Sequence, residues 1–478
     1  MADNKVRKGF LFYLLMLILL LVAVFFVLVV IMVFSPGLDI MGYKYFSNVS
    51  EKLITQISNT DGTLTRVDLS QPVDILINGN LTNVEIVRDS VVKEFTIKIE
   101  NYQTGFAYAD QNTDVSYSIK YEKPITASYY QLKIDIVNAE GFMYFNNNCY
   151  VQLLIPEDET VNAESLIDIS LQSGNIALGT KSSLDESKSS VDINHVVLST
   201  NEGNITLGKY FEPTITTLNI NQSRGEFNAL NSLTIKSGNS VDIVGNKTNF
   251  KFNDIVLENY DTESAILNLD INNGSFSSTK IHANTHLDAV SSKIDISNFK
   301  GKFDSNDLVN KMDKMDLNIG TIEGSISLPF ANNCNINIDD AKQAKVFISS
   351  DSADINIKNL GNDSWIESSE GSINVSLLSQ ENTIMIIGEN TAIDVNCTQE
   401  MLTSLVVKND VGKTNLNYYS TSKFTVYFYD LEGNLKKSNV KVEGYEDMLT
   451  NPLYVNGGNF ESKIYSNSEI TMNVIKEA

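Results

Sequence analysis

Few side chains in this sequence are of the types that carry catalysis. Its histidines are His195, His282 and His286. His282 and His286 are four residues apart, which is a metal-binding spacing on a helix, but on one strand the two side chains would share a face without converging. Neither a cysteine nor a Glu-x-x-His motif accompanies them. We therefore interpret them as solvated or turn histidines.

Carboxylates are abundant, and Asp295, Asp354 and Asp394 each lie beside an apolar residue in an alternating run. Stacked in register, such carboxylates could bind a cation or flank a glycosidic bond. The alternation favours the plainer interpretation, in which they are outward residues of half-buried strands. The segment Asp304-Ser305-Asn306-Asp307 is similar to a calcium loop but lacks glycine at the sixth position and glutamate at the twelfth.

Aromatic residues offer one further kind of contact. The chain has a single tryptophan, Trp365, which is interpreted either as a platform for stacking a sugar or as a partly buried residue at the start of a repeat. The pairs Tyr129-Tyr130 and Tyr418-Tyr419 place one ring on each face of a strand, so that one ring of each pair is expected to be exposed. The sequence thus predicts no catalytic, cofactor-binding or metal-binding residue and no cofactor, and it does not identify ligand-binding residues.

An apolar stretch near the N-terminus is expected to position the rest of the chain relative to a membrane. Residues 10–34 contain no charged residue, and Lys5, Arg7 and Lys8 precede them. A stretch of this length spans a hydrocarbon core of roughly 30 Å, and the basic flank predicts a cytoplasmic N-terminus. A cleavable signal peptide is the alternative, but its apolar region is shorter and Ser35-Pro36-Gly37 is a poor cleavage site. The sequence predicts an uncleaved, single-pass anchor in the cell membrane, with the bulk of the chain outside the cell.

Charge and cysteine content narrow the possible partners. The chain has 36 Lys and Arg against 59 Asp and Glu, for a net charge of −23. Such a surface repels nucleic acid and anionic lipid head groups, so nucleic acid is not expected as a partner. Cys149, Cys334 and Cys397 are too few and too widely spaced for a disulfide scaffold. One bridge at most is possible, and buried free thiols are favoured.

Beyond the anchor, the chain shows short runs of strict alternation, such as residues 294–296, 336–338, 355–357 and 373–375. Apolar residues at i and i+2 with polar residues between them indicate half-buried strands. A glycine phrase introduces many of them, as in Ser173-Gly174-Asn175 and Glu202-Gly203-Asn204. Because glycine tolerates positive φ, each phrase predicts a corner that is followed at once by a strand.

The spacing of these corners predicts an all-β fold, and specifically a β-solenoid or parallel β-helix-like repeat behind one N-terminal transmembrane helix. An antiparallel sandwich is the alternative, but two-residue hairpin signals are scarce between residues 165 and 410. In residues 73–87 Asn78-Gly79 does predict a type I′ hairpin. The predicted organisation is a cytoplasmic stub at 1–9, the anchor at 10–34, a juxtamembrane linker at 35–64, a β-rich N-terminal domain or cap at 65–165, strand repeats at 166–422, and C-terminal repeats with a cap at 423–478.

Two passages resemble a known bacterial family. Tyr150-Val151-Gln152-Leu153-Leu154-Ile155-Pro156, followed by the strand that ends in Ser173-Gly174-Asn175-Ile176, resembles the β-strand-repeat proteins grouped as adhesins, whose function is unknown. The ending from Asn451-Pro452 to Ile470 is similar to the closing repeat of that family. The resemblance implies a surface-displayed β-solenoid, and it brings no catalytic residues.

Three functions are compatible with this sequence. The favoured one is a non-enzymatic, membrane-tethered adhesin or envelope-associated structural protein whose partner is a polysaccharide of the envelope or matrix, or another surface protein. The second is a polysaccharide-acting enzyme, which would need a groove with three or more convergent charged side chains. The third is an accessory subunit of an envelope-stress sensor, which would need a membrane partner because the cytoplasmic stub is short.

Overall fold

The computed structural model describes residues 3–58, 63–182, 191, 193–211, 214–236, 239–261, 266–305, 312–398, 400–436, 438–443, 451–458 and 460–475, the side chains of residues 3–11, 181 and 182 excepted. One helix and 37 strands lie in these residues. The helix is α1 (Asp3–Phe34). Of the strands, 35 form one hydrogen-bonded sheet, and β3 pairs only with β4. The all-β fold with an N-terminal apolar helix is therefore as predicted.

The strands of the first half of the chain are β1 (Asp39–Ile40), β2 (Tyr43–Ile54), β3 (Ile57–Ser58), β4 (Leu64–Thr65), β5 (Val73–Gly79), β6 (Asn83–Asp89), β7 (Thr96–Tyr108), β8 (Ser116–Glu122), β9 (Tyr130–Val137), β10 (Met143–Pro156), β11 (Leu166–Ser173), β12 (Ile176–Ser182), β13 (His195–Glu202), β14 (Ile205–Leu207), β15 (Thr214–Ile215), β16 (Thr217–Gln222), β17 (Gly225–Ala229) and β18 (Leu233–Ile235).

The remaining strands are β19 (Val241–Asn246), β20 (Thr248–Leu257), β21 (Ile266–Asn272), β22 (Ser275–His282), β23 (Asn284–Val290), β24 (Lys293–Asp304), β25 (Met312–Asp313), β26 (Asp316–Leu328), β27 (Ala331–Asn332), β28 (Cys334–Leu360), β29 (Ser364–Leu377), β30 (Asn382–Asn396), β31 (Thr403–Asn409), β32 (Thr414–Tyr419), β33 (Phe424–Tyr429), β34 (Val440–Val442), β35 (Leu453–Val455), β36 (Glu461–Ser466) and β37 (Ile470–Ile475).

Helix α1 is apolar on every side, and its segment Phe12–Phe34 is long and apolar enough to cross a membrane. It ends where Pro36 follows, because the residue before a proline is pushed out of the helical region. The predicted span, 10–34, thus ends at the same residue as the helix, which begins earlier, at Asp3.

Most strands lie in columns, in which each strand pairs in parallel with one from a later part of the chain. Column 1 begins with β9 and β5 and runs through β11, β13, β16, β19, β21 and β23. It continues through the end of β24, the later part of β26 and the middle of β28. Its last members are β29, β30, β31, β36 and β33.

Column 2 lies beside column 1 along the chain. It begins with β10 and β6, and it runs through β12, β14, β17, β20, β22, β24, β26 and β28. Its last members are β29, β30, β32, β37 and β34. A shorter column 3 contains β15, β18 and the later parts of β20, β22 and β24. Long strands such as β28 bend and belong to more than one column.

The corners between columns 1 and 2 depend on glycine. Gly174, Gly203 and Gly225 have φ of 138°, 148° and 139°. A Cβ on Gly203 would lie 1.9 Å from the carbonyl oxygen of Gly174, and one on Gly225 would lie 1.9 Å from that of Gly203. Successive corners therefore stack on each other without space for a side chain, and the positive φ predicted at Gly174 and Gly203 is confirmed.

The inward side chains form one continuous apolar core that extends from Ile57 to Met472. In column 2 it includes stacked phenylalanines, with ring centroids 4.8 Å apart for Phe227 and Phe252 and 5.5 Å apart for Phe252 and Phe276. Burial of each such side chain contributes about 1.5–3 kcal/mol, so this core holds the columns together. Because strands alternate, the intervening residues point outward.

The hairpin predicted at Asn78-Gly79 is wrong. Strand β5 pairs with β9 and β11, whereas β6 pairs with β10 and β12, so the two strands belong to different columns. Gly79 is required for close packing, since a Cβ there would lie 2.7 Å from Oγ1 of Thr82. The parallel columns thus begin before residue 165, within the segment predicted as an N-terminal domain.

Antiparallel strands cover both ends of the columns. At the N-terminal end, β2 pairs with β7 and β7 with β10; we call these three strands the proximal sheet. The predicted linker, 35–64, thus contains a strand of 12 residues in β2. At the C-terminal end, β36 lies between β31 and β33, and β35 pairs antiparallel with β33. Covered ends protect strand edges from pairing with another chain.

Candidate functional site

A groove on the outer face of column 2 is the best candidate for a binding site. It has a volume of about 490 Å³, is open to solvent and lies across four successive passes of the chain. Apart from Ile355, its lining is polar. We call it the polar groove. Its polar lining residues are Asp316, Asn318, Asn335, Asn337, Asp354, Asn356, Ser372 and Asn374.

Strand alternation produces this lining. In each Ile-x-Ile or Ile-x-Val triplet the apolar residues are buried, so the middle residue points outward. Asn318 and Asn337 are register partners, as are Asn356 and Asn374, and the groove brings the two pairs together. We call these four residues the amide ladder.

Hydrogen bonds along the column orient Asn318 and Asn337 of this ladder and their neighbours. Nδ2 of Asn337 donates to Oδ1 of Asn318 at 3.0 Å, and Nδ2 of Asn318 donates to Oδ1 of Asp295 at 2.7 Å. Nδ2 of Asn335 donates to Oδ1 of Asp316 at 2.6 Å. An amide both donates and accepts, so asparagines stack on each other, whereas a carboxylate only accepts and needs an amide or hydroxyl beside it.

The same pattern continues towards the C-terminal end of column 2. Nδ2 of Asn415 donates to Oδ1 of Asp394 at 2.7 Å. Nδ2 of Asn417 donates to Oδ1 of Asn396 at 3.0 Å, and Nδ2 of Asn473 donates to Oδ1 of Asn417 at 2.9 Å. The outer face of column 2 therefore presents an array of amide and carboxylate groups at one strand spacing, about 4.8 Å.

The predicted carboxylates do not converge. Asp295 stacks with Asn318, Asp394 stacks with Asn415, and Asp354 accepts a hydrogen bond from Oγ of Ser372 at 2.6 Å. Only Asp354 lines the polar groove, where the other carboxylate is Asp316. The interpretation of all three as outward residues of alternating strands agrees with their burial pattern.

Column 1 carries a second outward feature, an aromatic strip. Phe347 and Trp365 are register partners, and Met385 and Val406 continue the same row. Phe347 is 41% exposed and Trp365 39%. The indole Nε1 of Trp365 donates to Oε2 of Glu367 at 3.3 Å. Both rings are thus open to solvent, as a sugar-stacking platform requires.

Tyrosines form a further stack near the C-terminal end of column 1. The rings of Tyr429 and Tyr465 are 4.9 Å apart and nearly parallel. Nζ of Lys408 lies 5.7 Å from the centroid of Tyr465. Of the predicted pairs, Tyr418 is buried while Tyr419 is half-buried, but Tyr129 and Tyr130 are both exposed, because Tyr129 precedes the first residue of β9.

The histidines are separated by the fold. His282 ends β22, whereas His286 lies in β23 after a corner at Ala283, so the two are not on one strand. Burial and the nearby charges of Lys280 and Lys300 lower the pKa of His282. Nδ1 of His286 lies 3.1 Å from Oδ1 of Asp304.

Among the described residues, no group of three or more His, Cys, Asp or Glu side chains could hold a metal ion. Asn306 and Asp307 of the calcium-like segment lie outside the described residues. The three cysteines are buried free thiols. Burial raises the pKa of Cys149 and Cys334 to about 11 and that of Cys397 to about 12, so none is a reactive thiolate.

Sequence reasoning missed the amide ladder and Phe347. The signal for the ladder is present, because the middle residues of the triplets at 336–338, 355–357 and 373–375 recur at nearly constant spacing. Phe347 gives no such signal, since Val346-Phe347-Ile348 is a continuous apolar run in which the outward residue cannot be distinguished.

No protein-family model matches this chain, and no curated protein matches it. Solved structures that are similar to it include the following two. A provisionally named cell adhesion protein of Clostridium sporogenes ATCC 15579 is 8% identical, with 89% of this chain and 99% of that chain covered and a TM-score of 0.15. A provisionally named adhesin of Parabacteroides merdae ATCC 43184 is 10% identical, with 90% and 97% covered and a TM-score of 0.15. At these TM-scores neither similarity carries an argument about fold or function.

Proposed function

We propose that this chain is a single-pass membrane protein that displays a β-solenoid outside the cell and binds an extended polysaccharide through the polar groove, without acting as an enzyme. The observation that carries the proposal is the regular outer face of column 2. There, hydrogen-bonding side chains recur on the successive passes between Asp295 and Ser372.

The solenoid is supported by the register of the columns. Hydrogen-bonded neighbours on column 2 between Asp295 and Ser372 are 18 to 23 residues apart. An interval of this size accommodates one pass through three short strands and their corners. Strands from consecutive passes then pair in parallel, as the strands of columns 1 and 2 do.

Membrane anchoring is supported by the composition of α1 and its flanks. Lys5, Arg7 and Lys8 precede the apolar segment, and Lys44 is the next basic residue after it. Apart from Met32 near its end, no residue of the segment Phe12–Phe34 is buried against the rest of the chain. An apolar helix without a protein partner is stable in lipid and unfavourable in water.

Polysaccharide is the partner class that fits the polar groove. Sugar hydroxyls pair with groups that donate and accept hydrogen bonds, which the asparagine amides of the ladder do. A polymer repeats its hydroxyls along its length, so that several weak contacts act together. The aromatic strip offers flat apolar surfaces to the CH faces of sugar rings. The net charge of −23 favours a neutral or cationic polymer.

A non-enzymatic role is supported by the composition of the groove. Hydrolysis of a glycosidic bond requires an acid and a second carboxylate that converge on one bond. Asp316 and Asp354 are the carboxylates that line the polar groove, and each accepts a hydrogen bond from a neighbouring side chain at 2.6 Å. Both are thereby engaged in orienting neighbouring side chains of the groove, Asn335 and Ser372.

The binding test uses the full chain in phosphatidylcholine nanodiscs on an array of envelope and matrix polysaccharides. The variant N337A/N356A removes two outward amides and leaves the core intact. We expect at least a tenfold loss of affinity for the bound polysaccharide. The matched control is N221A, which removes an exposed amide from column 1 and should leave binding unchanged.

A second pair of variants tests the aromatic strip. W365A should weaken binding, whereas F330A, which removes an exposed phenylalanine from outside the strip, should not. The polysaccharide proposal is wrong if the native chain binds no polysaccharide, or if the N337A/N356A variant binds it as tightly as the native chain does. If the native chain releases reducing sugar ends from a polysaccharide and D316N or D354N does not, the chain is a polysaccharide-acting enzyme and the non-enzymatic proposal is wrong.

Topology is tested separately on intact cells that carry epitope tags at both ends of the chain. We expect external protease to remove the C-terminal tag and to leave the N-terminal tag in the membrane fraction. A protected C-terminal tag, or an N-terminal tag lost together with α1, would refute the proposed anchor. Such a result would leave the polysaccharide measurements unaffected.

A further inference from the structure

We propose that the lower end of the proximal sheet rests in the lipid head-group region beside α1, through a patch formed by Leu38, Met41, Tyr43, Tyr108 and Phe142. We call this the interfacial patch. The inference rests on the proposed membrane anchoring and adds a second, lipid-facing surface to it.

The patch is apolar, exposed and compact. Its five side chains are 44% to 84% exposed. The rings of Tyr43, Tyr108 and Phe142 contact one another, with centroids 5.6 Å apart for Tyr43 and Tyr108, 5.8 Å for Tyr43 and Phe142, and 4.9 Å for Tyr108 and Phe142. A soluble sheet would bury such a cluster or replace it with polar residues.

A second aromatic row lies one step further along the same strands. Tyr45 contacts Phe106 at 5.6 Å, and Phe106 contacts Phe145 at 5.4 Å between ring centroids. Phe145 is 58% exposed. Tyr43 and Tyr45 share a face of β2, so the two rows lie on one face of the sheet, where Phe106 is itself only 6% exposed.

The chain after α1 places this surface at the level of the helix end. The amide of Leu38 donates to the carbonyl of Ser35 at 3.1 Å, and that of Gly37 donates to the carbonyl of Tyr45 at 2.7 Å. Strand β1 turns back onto β2, with Ile40 paired to Tyr43. Met32, in the last turn of the helix, is only 6% exposed, so the sheet and the helix end are in contact.

A lipid surface is the occupant that this position selects. If α1 spans a bilayer, its end at Phe34 lies at the boundary between hydrocarbon and head groups. Tyrosine is enriched at this boundary because its ring is apolar and its hydroxyl is polar. A patch tied by hydrogen bonds to the helix end has this boundary as its nearest surface, and contact there would fix the tilt of the columns relative to the membrane.

The test is fluorescence quenching in phosphatidylcholine nanodiscs that contain lipid with a doxyl group near the head group. Y108W places an indole in the interfacial patch. Y102W is the matched control, because Tyr102 is an exposed tyrosine on the same face of the same strand, about 20 Å away. The native Trp365 is replaced by phenylalanine in both.

We expect doxyl lipid to quench Y108W at least threefold more than Y102W. F142W is a second reporter in the patch and should behave as Y108W does. Equal quenching of Y108W and Y102W, or quenching of neither in a chain that co-elutes with nanodiscs, would overturn the inference. A chain that does not enter nanodiscs at all would instead refute the proposed anchor. The inference would also be overturned if the indole of F142W were shielded by a second copy of the chain instead of by lipid.

Discussion

The proximal sheet and the parallel columns differ in how their neighbouring polar side chains pair. In the columns, parallel pairing of similar passes puts like on like, as in the stack of Asn396, Asn417 and Asn473. In the proximal sheet, Nζ of Lys98 lies 3.3 Å from Oε1 of Glu51 and also contacts Glu100, so that one cation bridges two opposed carboxylates. Repetition therefore favours residues that can pair with themselves, and amides satisfy this condition where charges do not.

The two regions also differ in what they leave exposed. The outer face of column 2 presents amides and carboxylates, whereas the lower end of the proximal sheet presents aromatic rings. The inward faces are not separated in this way. Strands β7 and β10 contribute Ile97, Ile99, Val151 and Leu153 to the continuous core of the columns, and a small second cluster contains Phe46, Ala107 and Ala139. We therefore expect buried side chains to stabilise both regions, and exposed rings such as that of Phe142 to contribute little to folding.

The largest expected effect compares phenylalanine truncations in the two regions. F276A removes a fully buried ring that packs on Phe252, and it should lower the free energy of unfolding by about 3–5 kcal/mol. F142A removes an exposed ring and should cost about 1 kcal/mol or less. Urea denaturation of the full chain in detergent, followed by circular dichroism, measures both. Equal losses would contradict the proposed division between interior and surface.

A similar comparison uses glycines with positive φ. G203A at a stacked corner combines backbone strain with a Cβ that would lie 1.9 Å from an oxygen, and it should cost about 3 kcal/mol or more. G42A, beside the proximal sheet, has φ of 82° but no atom within 4 Å of the new Cβ, so only the strain of about 1 kcal/mol remains. The same denaturation experiment separates them, and a G203A as stable as G42A would show that the corners are not tightly stacked.

These two comparisons show what the sequence can predict. Alternation in triplets such as Ile336-Asn337-Ile338 predicts which residues point inward, because a half-buried strand needs only a period of two. The glycine phrases predict corners at Gly174 and Gly203, because their φ is a local property. These signals were sufficient for the all-β fold.

Strands pair with partners that are distant in the sequence, and local sequence patterns did not predict those partners. Asn78-Gly79 has the composition of a hairpin turn, but β5 gains more buried contact by pairing with β9 and β11 on both its edges. Strand β2 could not be predicted either. Its apolar residues Val49 and Leu53 are exposed, so they do not mark a buried face, and the strand depends on its pairing with β7. The candidate site could be predicted as outward and polar but not as a ladder, which depends on register.

A smaller effect is expected from a buried hydroxyl at a corner of the columns. Oγ1 of Thr391 donates to the carbonyl of Ser368 at 2.6 Å and is fully buried. T391V keeps the shape and leaves that carbonyl without its donor, at a cost of about 1–2 kcal/mol. T383V, at an exposed position of the same strand, is the matched control and should change stability by less than about 0.5 kcal/mol. An unchanged urea midpoint for T391V would show that these corner bonds do not contribute.

The smallest expected effect tests the rule for charges directly. Asp270 and Asp288 are register partners in column 1, and burial together with the charge of Asp288 raises the pKa of Asp270 above its usual 3.8. Between that value and the raised one, the folded chain binds a proton that the unfolded chain releases, so stability falls as the pH rises through this window. D270N should therefore stabilise the chain at pH 7, by roughly 0.2–1 kcal/mol, and the gain should vanish below pH 4.

The proximal sheet should respond with the opposite sign. Glu100 is the main cause of the raised pKa of Lys98, whose charged form is thereby stabilised at every pH below 10.5. E100Q removes that partner and should destabilise the chain at pH 7 by less than about 1 kcal/mol. Thermal melts of D270N and E100Q at pH 4 and pH 7 measure whether each substitution stabilises or destabilises the chain. If D270N destabilises the chain at pH 7, stacking of like charges is not a cost in the parallel columns, and the contrast with the proximal sheet does not hold.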